Sequence, residues 1–157
     1  MVVRLLCIYL AVQALVPLQH WLYPGDVNWT EEGHRFAWRM KLRDKHGEAQ
    51  FFVTDAGTGE TRVVNPAQHL TFSQLNEMST RPDMILQFAH HLAAETRKSG
   101  ATNIQVRAMV RVSLNGREAQ LLVDPRGDLA AQPRSLWPVH WILPLTEPLR
   151  RPPRATK

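Results

Sequence analysis

The segment IQVRAMVRVSLNGR, residues 104–117, shows the clearest structural signal in the chain. In its first eleven residues every second side chain is apolar, and most of those between are polar or basic. A period of two residues predicts a β-strand with one buried face and one solvated face. Asn115-Gly116 then forms the preferred two-residue hairpin turn, because both residues tolerate positive φ. We therefore predict a hairpin in which residues 117–123 pair back on this strand.

Three segments upstream show a similar alternation and predict further strands. They cover residues 34–43, 48–54 and 60–64. Turn-forming residues separate them at 44–47 and 55–59. Short strands joined in this way form a three-stranded antiparallel meander.

Two helices are predicted, a short one at residues 71–79 and a longer one at residues 82–99. The longer helix has Pro82 at its first position, Asp83 beside it, and basic residues before Gly100. All three features agree with the residue preferences of helix ends. One stripe of this helix is apolar and requires a sheet to cover it. The stripe consists of Met84, Ile85, Phe88, Ala89, Leu92 and Ala93.

The N-terminal segment VVRLLCIYLAVQALVPLQ, residues 2–19, is mainly apolar and is followed by Trp21 and Tyr23. Three interpretations remain open. The segment is a membrane helix, a signal peptide with Arg4 in its basic region, or a buried helix of a soluble core. We favour the membrane helix because Trp and Tyr side chains prefer the boundary between membrane and water.

The composition indicates one globular domain with appendages. Of the 157 residues, 44% are apolar and 21% are charged, which separates the chain from disordered proteins. The net charge of +5 allows acidic partners, although a solvated basic surface or basic residues beside a membrane explain it more simply. The single cysteine, Cys7, excludes an intrachain disulfide and a cysteine-rich zinc site. The predicted basic sheet face lacks interleaved aromatic residues, which argues against nucleic acid as a partner.

Few residue patterns point to chemistry. The sequence contains no glycine-rich phosphate loop, no Gly-x-Ser-x-Gly motif and no zinc spacing of Cys and His. His90 and His91 are adjacent, so on a helix they face different directions, and we predict no metal site. A remaining cluster either clamps a carboxylate and transfers protons or forms neutralising ion pairs on a surface loop. It consists of Glu31, Glu32, His34, Arg35 and Arg39.

Residues 15–40 contain the pattern L-x-P-x-x-x-x-L-Y-P-G-x-x-x-W-T-E-E-G-x-x-F-A-W-R-M. This pattern resembles the vitamin K-dependent γ-glutamyl carboxylase family, including bacterial homologues with an HTTM-type membrane domain. The resemblance covers roughly residues 5–145, nearly the whole chain. Similar downstream features are Thr58-Gly59-Glu60, Asn65-Pro66, the helix from Pro82, and Asp124-Pro125-Arg126.

The resemblance implies that the chain is the C-terminal part of a multi-pass membrane enzyme. Enzymes of this family are lyases that couple oxidation of vitamin K hydroquinone by O2 to removal of a γ-proton from glutamate, followed by CO2 addition. These cofactors belong to the intact enzyme, and none is expected to bind this chain alone. The family's lysine base and catalytic histidine lie in the membrane half. No lysine here lies in an apolar stretch that would lower its pKa, so we predict no catalytic residue and no carboxylation by this chain alone.

The resemblance assigns the glutamyl side of the reaction to residues 29–43. The pattern departs from the animal enzymes at His34 and Ala37, where those enzymes have Tyr and Ser. The expected partners are membrane lipid, a glutamate-containing peptide or protein, and a separately encoded membrane half. The alternative is a non-catalytic, membrane-anchored binding module. The predicted substrate-binding residues are Trp29, His34, Arg35, Trp38 and Arg39.

Together these observations predict an α+β fold. Its antiparallel sheet, open or sandwich-like, is covered by one long helix and preceded by an N-terminal transmembrane helix. We place the transmembrane helix at residues 1–20, an interfacial loop at 21–33, the extracytoplasmic domain at 34–145 and a disordered basic tail at 146–157.

Overall fold

The computed structural model describes residues 1–34, 37 and 43–146. The predicted tail beyond residue 146 and most of the predicted strand at residues 34–43 therefore lie outside the described residues. The helices are α1 (Val2–Leu15), α2 (Val27–Thr30), α3 (Phe72–Thr80) and α4 (Pro82–Lys98). The strands are β1 (Lys45–Asp55), β2 (Thr61–Val64), β3 (Ile104–Leu114) and β4 (Gln120–Leu121). Short 3-10 helices lie at Val16–Leu22, Pro66–Gln68 and Leu129–Ala131.

The hairpin predicted from residues 104–117 is confirmed. All six inward side chains of β3 are buried, and the turn has positive φ at Asn115 and Gly116. The returning strand β4 is shorter than predicted, because side chains replace the backbone ladder next to the turn. The Ser113 hydroxyl donates to the carbonyl of Arg117 at 2.7 Å, and Arg111 donates to the carbonyl of Ala119 at 2.9 Å.

In the described part of the chain, the four strands form one antiparallel sheet in the order β2-β1-β3-β4. The predicted second and third strands are confirmed as β1 and β2. β1 pairs with β3 along its whole length, from Lys45 opposite Leu114 to Asp55 opposite Ile104. The predicted turn at residues 44–47 is wrong, because β1 already begins at Lys45.

The start of β1 passes unusually close to the end of α3. A Cβ atom at Gly47 would lie 2.5 Å from the backbone oxygen of Ser79, well inside van der Waals contact. Only glycine allows this approach at unchanged geometry. The approach brings the first residues of β1 under the C-terminus of α3. The inward alternation of β1 thus extends back to Lys45.

Helices α3 and α4 cover the inner face of the sheet, as the apolar stripe predicts. α3 begins with a capping box between Thr71 and Gln74, which satisfies two backbone donors at its N-terminus. α4 has Pro82 in its first turn and ends before Gly100, which has a φ of +96°. The edge-to-face pair Phe51 and Phe88, 4.9 Å apart, lies between the sheet and α4. The fold is α+β.

The N-terminal helix extends away from this core. α1 has no buried residue, which disagrees with the interpretation of a soluble core helix. The 3-10 helix continues it directly, and Val2–Leu22 is long and apolar enough to cross a membrane by length and composition. Fourteen α-helical and seven 3-10 residues span about 35 Å, compared with a hydrocarbon layer of about 30 Å.

We expect Gly47→Ala to lower the free energy of unfolding by about 1–3 kcal/mol, because the new methyl group meets backbone atoms that cannot rotate away. The measurement is urea unfolding of the full chain in mild detergent, followed by Trp fluorescence. Gly127→Ala is the matched control, since its Cβ would meet the nearest atom at an ordinary 3.5 Å. Equal losses in the two variants would contradict the close approach of β1 to α3.

Candidate carboxylate-binding site

Residues 23–34, which follow the N-terminal helix, form a compact, reversed loop. Asp26 caps α2 by accepting a hydrogen bond from the backbone N–H of Asn28 at 2.7 Å. Glu31 and Gly33 both adopt left-handed backbone conformations, with φ of 61° and 66°. A Cβ atom at Gly33 would lie 2.5 Å from the ring of Tyr23. The loop therefore folds back against the end of the N-terminal helix and sends Glu31 and Glu32 in different directions.

Three long-range hydrogen bonds fasten this loop to the C-terminal segment. The Tyr23 hydroxyl donates to the carbonyl of Leu136. The Trp29 indole N–H donates to the carbonyl of Leu143 at 2.7 Å. The Glu32 carboxylate accepts from the backbone N–H of Val139 at 2.9 Å. Burial raises the pKa of Glu32, and the Val139 hydrogen bond opposes this change.

Trp29 is a core residue. Its exposed fraction is 1%, and its indole N–H is fully used by Leu143. In this arrangement the Trp29 ring supports the loop from inside. Its role in shaping a substrate pocket remains a prediction. In that role the buried ring would support the residues of the pocket and would not contact the substrate.

Lys45 lies under the same loop, at the inner start of β1. Its side chain is 4% exposed. The ammonium donates to the carbonyl of Trp29 at 2.7 Å, the carbonyl of Thr80 at 3.1 Å and the carboxylate of Glu31 at 3.1 Å. All three N–H groups therefore have acceptors, and three separate elements meet at one nitrogen.

Burial lowers the pKa of Lys45 from 10.5 to about 8, against the opposing effect of Glu31. The prediction that no lysine of the chain has a lowered pKa was therefore wrong. The local sequence around Lys45 is polar, and burial arises from tertiary packing beneath α2 and α3. The missed signal is the period of two, since Lys45 shares the face of Phe51 and Val53.

Arg43 lies next to this ammonium. Its Nη1 lies 3.1 Å from Glu31 Oε1, so Glu31 is an ion-pair partner of both Arg43 and Lys45. The same Nη1 is buried and, among the described residues, forms no hydrogen bond of acceptable geometry. An ion-pair distance without a directed hydrogen bond leaves N–H capacity for another acceptor.

His34 completes the contact with Arg43. Its Nε2 lies 3.4 Å from Arg43 Nη2. A guanidinium only donates hydrogen bonds, so Nε2 accepts and the imidazole proton is assigned to Nδ1. Burial, followed by the charge of Arg43, lowers the pKa of His34, and Glu31 opposes the change. His34 is therefore a neutral donor at pH 7.

Arg81 adds a third cation from the end of α3. It pairs with Glu77 at 2.5 Å, and its charge contributes to the lowered pKa values of His34 and Lys45. We define the basic cluster as Glu31, His34, Arg43, Lys45, Glu77 and Arg81. Its three cations face Glu31 and Glu77, which leaves one net positive charge. The arrangement can accept one further anionic group such as a carboxylate.

The structure brings only part of the predicted site together. Among the five predicted substrate-binding residues, Trp29 lies in the core and His34 lies in the basic cluster. Arg35, Trp38 and Arg39 lie outside the described residues. Sequence reasoning included Arg43 in the range 29–43 without naming it as a binding residue, and it missed Lys45 and Arg81. Arg43 borders the quoted pattern, whereas Arg81 arrives from α3 and carries no local signal.

An open cavity of about 380 Å³ lies on the other side of the loop, at the end of the N-terminal helix. None of the residues of the basic cluster lines it. Its lining consists of His20, Trp21, Tyr23, Gly25, Asp26 and Val27.

We expect Lys45→Met to lower the free energy of unfolding by about 3 kcal/mol, because it removes one partner of a nearly buried ion pair. Urea unfolding in mild detergent measures the loss. Lys98→Met, on the exposed end of α4, should cost less than about 1 kcal/mol. Glu31→Gln should cost less in the Lys45→Met background than alone. Equal costs in both backgrounds would show that the two residues are not coupled.

Comparison of the parent chain with Lys45→Met also tests the lowered pKa of Lys45. Between pH 8 and 10.5 the unfolded chain holds a proton on Lys45 that the folded chain has lost. Loss of the Lys45 proton therefore adds nothing to the stability of the folded chain below pH 8. Above pH 8 its contribution to the free energy of unfolding grows with pH, by up to about 3 kcal/mol. The free energy of unfolding should rise with pH in this window relative to Lys45→Met. A constant difference would contradict the lowered pKa.

No solved structure shows significant similarity to the chain. Residues 1–148 match the family model described as vitamin K-dependent gamma-carboxylase, lumenal domain. This match includes the N-terminal helix, the loop, the basic cluster and the sheet. The chain therefore belongs to the family of the vitamin K-dependent gamma-carboxylase lumenal domain.

Proposed function

We propose that this chain is the extracytoplasmic, glutamate-binding part of a γ-glutamyl carboxylase-like membrane protein. The observation that carries the proposal is the basic cluster, which among the described residues has one net positive charge and a partly exposed Arg43 side chain. The cluster adjoins residues 35–42, which contain the predicted Arg35, Trp38 and Arg39. Membership of the lumenal-domain family supports the general kind of protein.

Arg43 is the main anchor in this proposal. A glutamyl carboxylate accepts from the partly exposed guanidinium of Arg43, and the neutral His34 donates from Nδ1 to the same group. A carboxylate there neutralises the excess charge of the cluster. Because Arg43 and His34 are only partly exposed, their hydrogen bonds to the substrate are stronger than on an open surface.

Lys45 is a positioning residue rather than a base. A proton acceptor needs a free lone pair directed at the substrate, whereas Lys45 directs its three N–H bonds at protein acceptors. It holds Glu31, and Glu31 fixes the charge beside Arg43. The absence of a catalytic residue in this chain therefore stays our prediction, although the reason first given for it was wrong.

The basic cluster does not fit an apolar quinone ring, since it offers guanidinium, imidazole and carboxylate groups. We therefore assign vitamin K hydroquinone, O2 and CO2 to the intact enzyme and not to the described residues. The proposed partners are a glutamate-containing peptide or protein and a membrane half that carries the base. The alternative is a membrane-anchored binding module that holds acidic peptides without catalysis.

The membrane is a further proposed partner. Trp21 and Leu22 at the end of the N-terminal helix are exposed, as are Leu136 and Trp137. The hydrogen bond from Tyr23 to Leu136 joins these two pairs into one edge. Trp and Leu side chains on one edge beside a membrane-type helix favour contact with the bilayer surface. This edge also favours a retained membrane helix over a cleaved signal peptide.

We expect Arg43→Ala to weaken binding of a glutamate-rich peptide at least about tenfold, because it removes a charge-assisted hydrogen bond. His34→Ala should weaken binding less, since it removes a neutral donor. The measurement is calorimetric titration of the full chain in mild detergent, with the matching glutamine-rich peptide as ligand control. Arg107→Ala removes the same charge on the exposed outer face of β3 and should leave affinity nearly unchanged.

Intact folding must accompany the loss, as monitored by urea unfolding of each variant. An affinity for the glutamate peptide that is unchanged by Arg43→Ala and His34→Ala would overturn the proposed site.

Co-expression with a family membrane half distinguishes the enzyme part from the non-catalytic binding module. Vitamin K epoxide and carboxylated glutamate above the level of the membrane half alone support the enzyme, whereas unchanged levels with intact peptide binding support the binding module.

We expect Trp137 to lie at the lipid surface. In vesicles that contain brominated lipids, its fluorescence should be quenched, because bromine quenches only indoles within contact range of the acyl chains. Trp137→Phe should lower the quenched fraction of the Trp fluorescence. Trp141→Phe is the control and should not lower it, because it removes a buried indole. Equal quenching in the parent chain and Trp137→Phe would contradict this placement.

A further inference from the structure

A second cluster of ionisable side chains lies outside the basic cluster. It consists of His69, which follows the 3-10 helix Pro66–Gln68, and His91 and Glu95 of α4. One ligand atom from each residue lies within 4.8 Å of the others. In the described part of the chain this is the group of His, Cys, Asp and Glu side chains with metal-binding spacing.

The geometry of this cluster is close to that of a coordination site. Glu95 Oε2 lies 4.0 Å from His69 Nδ1 and 3.9 Å from His91 Nε2. Ligand atoms at about 2.05 Å from a tetrahedral metal lie about 3.3 Å apart. The two pairs that involve Glu95 therefore need to close by roughly 0.6–0.7 Å, and the two imidazole nitrogens, which lie at most 4.8 Å apart, by up to about 1.5 Å. Rotations of these exposed side chains provide such movements.

Two features of the fold hold the ligands in place. His91 and Glu95 are four residues apart on α4, so their side chains lie on one face of the helix. The buried Phe88 ring lies against both imidazoles, at 5.9 Å from His69 and 6.2 Å from His91. His69 is fixed by its preceding turn, in which Asn65 accepts from the N–H of Ala67 at 3.0 Å. Helix α4 and the turn before His69 thus restrict the ligands before any ion binds.

We propose that His69, His91 and Glu95 form a binding site for a divalent transition-metal ion, with Zn²⁺ as the most suitable first-row ion. Two imidazoles and one carboxylate are a frequent donor set for zinc, and three protein ligands leave a position for water or an exogenous ligand. The site departs from the prediction of no metal site. That prediction considered the adjacent His90 and His91, whereas the helical partner of His91 is Glu95.

The bound ion would connect the turn after β2 to α4. Such a link stabilises the folded state, because the unfolded chain does not hold the three ligands together. The site lies outside the basic cluster and shares no residue with it. Its outcome is therefore independent of the proposed glutamate binding.

The test uses the full chain in mild detergent, free of affinity tags and treated with a chelator. Titration with Zn²⁺ alone should show one bound ion per chain and a higher Tm. Co²⁺ should give visible absorption bands typical of a four-coordinate site. His91→Ala and Glu95→Gln should each weaken Zn²⁺ binding at least tenfold and abolish the rise in Tm.

His90→Ala is the matched control, because His90 lies beside His91 but its Nε2 is 2.9 Å from the carbonyl of Gln132. His46→Ala controls for another exposed pair of a histidine and a carboxylate, His46 with Asp44. Both controls should keep the parent affinity and the parent rise in Tm. Zn²⁺ binding that survives His91→Ala and His69→Ala, or that is lost equally in His90→Ala, would overturn the proposal.

Discussion

The hydrogen bonding of the Lys45 ammonium is the constraint on which the rest of the site depends. A charged amine that is almost fully buried is costly unless every N–H has an acceptor. The fold supplies acceptors from α2, from the loop after it and from the end of α3. These elements are distant in sequence, so the ammonium fixes their relative positions. The loop that carries His34 can therefore take few other paths.

The neighbours of Lys45 show the same constraint in other terms. Gly47 is required because β1 must pass close to Ser79 before Lys45 can reach the carbonyl of Thr80. Glu31 must adopt a positive φ because its carboxylate has to turn back toward Lys45. Each feature is unfavourable in isolation. Together they bring a carboxylate and two cations into one site beside the segment that the family resemblance associates with glutamate.

Much of the fold could be predicted from local patterns in the sequence. The alternation in β3 and the turn at Asn115 determine the hairpin, and the apolar stripe of α4 determines which face of the sheet is covered. The start of β1 was missed because Lys45, His46 and Gly47 are turn-forming residues in isolation. Tertiary acceptors around the ammonium override that preference, and no local pattern reports them.

The candidate site was less accessible to sequence reasoning. A family pattern identified His34, but it could not show that Arg43 shares a carboxylate with a buried lysine. Arg81 joins the cluster only because α3 ends above β1, which is a property of packing rather than of spacing. The same holds for His69 and Glu95, since the helical period relates Glu95 to His91 but says nothing of a loop residue across the helix. Site residues that lie on one helix or strand can be predicted from their spacing in the sequence. Site residues that packing brings together from several elements cannot.

The attachment of the loop also relates the site to the N-terminal helix. The Tyr23, Trp29 and Glu32 side chains bind three successive parts of residues 136–143. That segment carries the exposed Trp137 at one end and is paired with the core at the other, where Val123 forms a bridge with Ile142. The loop is thus held between an apolar edge and the sheet. Because both attachments act on one short stretch of chain, the basic cluster keeps a fixed distance from the end of the N-terminal helix. The glutamyl side chain that we propose to bind at Arg43 would therefore be held at a constant distance from the end of the N-terminal helix, as the proposed division of the reaction between a membrane half and this chain requires.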